Sequence, residues 1–73
     1  MNIQTVAQNL RNTIAGKEAF LEISMERLRS HYKDRMDNDT WFSIKATVEF
    51  LAINIDELKR ILQDVEQCIK EEV

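Results

Sequence analysis

Proline is absent from this 73-residue chain and glycine occurs once. The turns of an all-β or doubly wound fold therefore have almost nothing to be built from. A single cysteine excludes an internal disulfide, and a single histidine leaves no Cys/His cluster to hold zinc. No stretch approaches the roughly 20 consecutive apolar residues of a membrane-spanning helix. The opening MNIQTVAQNLRN lacks both the basic start and the apolar run of a signal peptide. The expected setting is cytoplasmic and away from membranes. The basic excess of a general nucleic-acid binder is lacking too, since the net charge is −3.

What the chain does have is helical periodicity. Trp41, Ile44, Val48, Leu51, Ile55, Leu58, Leu62, Val65 and Ile69 alternate steps of three and four without interruption. At about 1.5 Å per residue that seam predicts one helix roughly 40 Å long. In the first half, Ile3, Ala7, Leu10, Ile14, Leu21, Met25, Leu28, Tyr32 and Met36 form a second stripe, interrupted at Lys17 and Glu18. Gly16 beside the gap costs about 1 kcal/mol in a helix interior relative to Ala, and Thr13 is placed to cap a fresh start there. One continuous helix is nevertheless the expectation. The segment Asp34 to Thr40 reads as the turn, with Asn38 or Asp39 as the cap of the second helix. A calcium loop starting at Asp37 needs Gly at its sixth position and Glu at its twelfth. Those positions hold Phe42 and Val48.

The two stripes mirror each other. Residue numbers summing to 76 pair Tyr32 with Ile44, Leu28 with Val48, Met25 with Leu51, and Leu21 with Ile55. They also pair Ile14 with Leu62, Ala7 with Ile69, and Ile3 with Val73. Only Glu18, opposite Leu58, breaks the row. The prediction is an all-α, single-domain helical hairpin: helix one about 2–36, turn about 37–39, helix two about 39–71. Residues 1–36 carry a net +2 and residues 37–73 a net −5, which favours one half lying against the other.

A chain this short seldom builds a sufficient core alone. Phe50, Ile61 and Cys68 lie roughly 110° from the seam of helix two, at 100° per residue, with Ser43, Thr47 and Asn54. Val6 and Phe20 lie off the first stripe in the same sense, with Thr13 and Ser24. Together these make one half-apolar side, and the expected assembly is a homodimeric four-helix bundle with Phe20, Phe50, Ile61 and Cys68 in its interface. Cys68 reads there as a buried structural thiol, and Trp41 as a plug at the bundle end. Ile23, Phe42 and Ile53 point elsewhere, as ordinary exposed apolar residues do.

Catalysis finds no support. His31 is the only histidine to activate a serine, and its neighbour Ser30 does not face it on a helix. No cofactor or metal is expected. Arg27, His31 and Arg35, spaced i, i+4, i+8, form a basic ridge near the turn. A solvated cationic helix end accounts for it, and contact with an acidic partner or with phosphates is the functional alternative. The expectation is a small, non-enzymatic accessory or regulatory protein that pairs with itself and acts through another protein. A nucleic-acid-binding hairpin dimer using Arg27, His31, Lys33 and Arg35 is the competing reading.

Overall fold

The computed structural model describes residues 2–30 and 37–72. It consists of two helices packed against each other, α1 (Ile3–Arg29) and α2 (Asn38–Glu72). Residues 31–36, on which the expected end of helix one, Tyr32, Lys33, His31 and Arg35 fall, lie outside the described residues, as does Val73. Asn2 caps α1: its Oδ1 accepts from the Gln4 N–H at 2.8 Å, and its carbonyl accepts from Thr5 and Val6. α1 runs through Gly16 without a break. Space around that glycine is open, so no packing contact bends the helix there. At the far end the Ser30 N–H donates to the Glu26 carbonyl, and Arg27 and Arg29 occupy the last turn, where cations oppose the helix dipole.

The cap of α2 is one residue upstream of the two expected. Asp37 Oδ1 accepts the Thr40 N–H at 2.7 Å, and the Asp37 carbonyl accepts from Trp41. The helix begins at Asn38, so Asp37, the residue just before it, occupies the cap position. The Thr40 N–H, then the Thr40 hydroxyl, holds the Asp37 carboxyl below its ordinary value.

The core is the expected seam. Ile14, Leu51 and Ile55 are buried together, with half-buried Leu21, Leu58 and Leu62 against them. Ala7 and Ile44 are also buried. The break at Glu18 is resolved sideways: its carboxylate reaches Lys59 Nζ at 3.3 Å, which leaves Leu58 to the core. Arg11 pairs with Glu66 at the same distance. Each pair sums to 77, one residue from the mirror register. The resulting rod measures 55 × 17 × 15 Å.

Candidate interaction surface

The ion pairs that bridge the helices fall on one side of the hairpin. Arg11 and Glu18 on α1, and Lys59 and Glu66 on α2, each lie about 50–70° from their own seam in the same rotational sense. Two antiparallel helices are related by a two-fold axis normal to the plane they share. Equal rotational offsets therefore meet on one face.

The opposite face carries Phe20, Phe50 and Ile61, which are 52%, 66% and 49% exposed. Their spacing along the two helices sets these three on one side. Cys68 shares it but is exposed on the single chain rather than buried, because it projects outward near the open end, with no helix over it. Ser24, expected on this outer side, is instead buried at 5%. It lies only about 70° from the α1 seam, and its short side chain fits between the helices. Thr47, Asn54 and Val6 are half-buried along the same border, while Ser43 and Thr13 are exposed. Asn54 Oδ1 is enclosed without a hydrogen-bond partner. Such an acceptor is unfavourable in a packed setting.

Ile23, Phe42 and Ile53 are exposed and point away from this face. Half-buried Trp41 meets Phe42 edge-on, ring centres 5.0 Å apart, and Lys45 Nζ stands 5.3 Å from the Trp41 ring. This aromatic pair at the turn end was not foreseen, although the adjacent Trp41-Phe42 could have signalled it. Of the expected basic ridge, Arg27 is exposed in the last turn of α1, and His31 and Arg35 lie outside the described residues. The ridge therefore cannot be assembled from described positions.

Among the described residues, concave sites are slight. An open depression of about 390 Å³ is lined by Gln4, Ala7, Gln8, Arg11 and Ile69 near the open end. A smaller one of about 220 Å³ flanks the Glu18–Lys59 pair. Among the described residues no group of acidic, cysteine or histidine side chains is arranged to hold a metal, and no helix is long and apolar enough to cross a membrane. No protein-family model, curated protein or solved structure matches the chain.

Proposed function

We propose that the chain is a non-enzymatic, self-associating helical module: two hairpins join through the face of Phe20, Phe50 and Ile61 into a four-helix bundle that acts on another protein. Surface area carries this reading. The chain exposes 5722 Å², against about 4,700 Å² for a compact folded monomer of its 8.6 kDa mass. The surplus of about 1,000 Å² is close to the roughly 800 Å² each partner contributes to a standard interface. The face that would take it has aromatic and aliphatic side chains flanked by small polar ones, while the cross-helix charges lie on the other side. Ile23, Phe42 and Ile53 remain outside the bundle and give it apolar positions for a further protein.

Light scattering over a range of concentrations tests the assembly. The expected mass is twice that of one chain, and a folded monomer throughout would end the proposal. Affinity capture of the native chain, with bound proteins and nucleic acids both identified, tests the role. Nucleic acid whose binding weakens steeply with salt would replace the protein-directed reading.

A further inference from the structure

We infer that the second copy docks on this face in the opposite direction, turn to open end, about a two-fold axis that passes beside Phe20. The inference rests on the dimer proposed above and adds its orientation and register. A symmetric interface must be complementary to itself under its own axis, and the face can be tested against each axis available to it.

With the turns at opposite ends, α2 faces α2 and α1 faces α1, both antiparallel. Residue numbers that face each other on α2 then have a constant sum. At 111, Phe50 meets Ile61 of the second copy and Ile61 meets its Phe50, while Ser43 meets Cys68 at each end. Asn54 meets Glu57, a side-chain amide against a carboxylate. The axis then crosses α2 between Ile55 and Asp56. The hairpin register, with cross-helix numbers summing to 76 or 77, places the axis 0.5 to 1.5 residues past Phe20 on α1, so the two copies' Phe20 side chains stand within about 5 Å of each other along the helix direction. Gly16 and Ser24 flank it one turn away on either side, and neither has bulk to hold the helices apart. Every large apolar side chain of the face thus covers another.

With the turns at the same end, each α1 faces the other copy's α2 at equal height. Phe50 then meets Arg27, Phe20 meets Glu57, and Ile61 meets Gly16. Aromatic rings against desolvated charges forfeit both hydration and packing.

Two measurements on the full chain decide the matter. Ser43→Cys adds a thiol to the native Cys68. The two lie 25 residues apart on one helix, roughly 37 Å, so a disulfide between them joins two chains. Oxidation is expected to yield a covalent dimer whose peptide map links position 43 to 68. In a Cys68→Ser, Lys70→Cys chain, spin labels stand on the charged side, away from the interface. The expected separation is at least about 44 Å, because position 70 of one copy lies at the height of residue 41 of the other. A separation of about 30 Å or less, the width of a bundle at one height, overturns the orientation and leaves the dimer standing. A dimer without the 43–68 link overturns the register. A monomeric mass for the native chain overturns the inference together with the reading beneath it.

Discussion

The two broad faces of this hairpin are built from the same helices yet solve different problems. One is stitched by Arg11–Glu66 and Glu18–Lys59, whose side chains are about half exposed. Exposed pairs of this kind contribute little stability, but charges there keep that face in water and set the register of α1 against α2. Among the described residues the other face has no such stitching. It exposes Phe20, Phe50 and Ile61 and encloses Ser24 and an unpaired Asn54 acceptor at its border. Apolar area left to water has a large potential gain on burial, about 25 cal/mol per Å². The charged face needs no further contact, and in the proposed dimer the apolar one is covered.

Substitutions on the two faces should therefore differ sharply. Phe50→Asp would bury an unpaired carboxylate at the contact between copies. We expect loss of the dimer and, with so small a core in one hairpin, loss of most helical signal by circular dichroism at low concentration. Gln63→Asp on the charged face should leave mass unchanged and stability within about 0.5 kcal/mol. Equal behaviour of the two variants would erase the distinction between the faces.

Between the faces lies the seam, common to both. Ile55→Ala, at 5% exposure, should cost about 2–5 kcal/mol in urea unfolding. A loss below about 0.5 kcal/mol would mean that the hairpin packs in another register. Asn54→Leu removes the enclosed acceptor, and we expect a gain of about 1 kcal/mol, read from the same unfolding curves. A destabilised variant would show that the amide's contact with Glu57 of the second copy outweighs its unpaired acceptor. The smallest effect belongs to the charged face. A double-mutant cycle on Glu18 and Lys59 should give a coupling of about 0.2–1 kcal/mol that shrinks as salt is added. A coupling that ignores salt would mean the pair is shielded from solvent.

Much of this was legible beforehand because helical periodicity is local. The uninterrupted steps of three and four from Trp41 to Ile69 predict α2 and its buried side together, and Ile44, Leu51 and Ile55 are its buried residues. The mirror about residue 38 likewise pairs Ile14 with Leu62 and Leu21 with Ile55, and all four belong to one cluster. Single-residue detail was less legible. Asp37 rather than Asn38 or Asp39 caps α2, since all three residues suit a cap by type and only the exact start of the helix chooses among them. Ser24 is enclosed although its type and angle suggested the rim, because burial depends on the width of the groove beside it.

The sequence by itself determined the two helices, the sides they turn to each other, and the apolar character of one remaining face. These follow from residue spacing along a helix of known pitch. The tertiary structure alone decided that Glu18 leaves the seam for Lys59, that Ser24 goes inside, and that Asn54 Oδ1 is enclosed without a partner. Those outcomes depend on distances between helices, and no periodicity within one helix encodes how closely another approaches it.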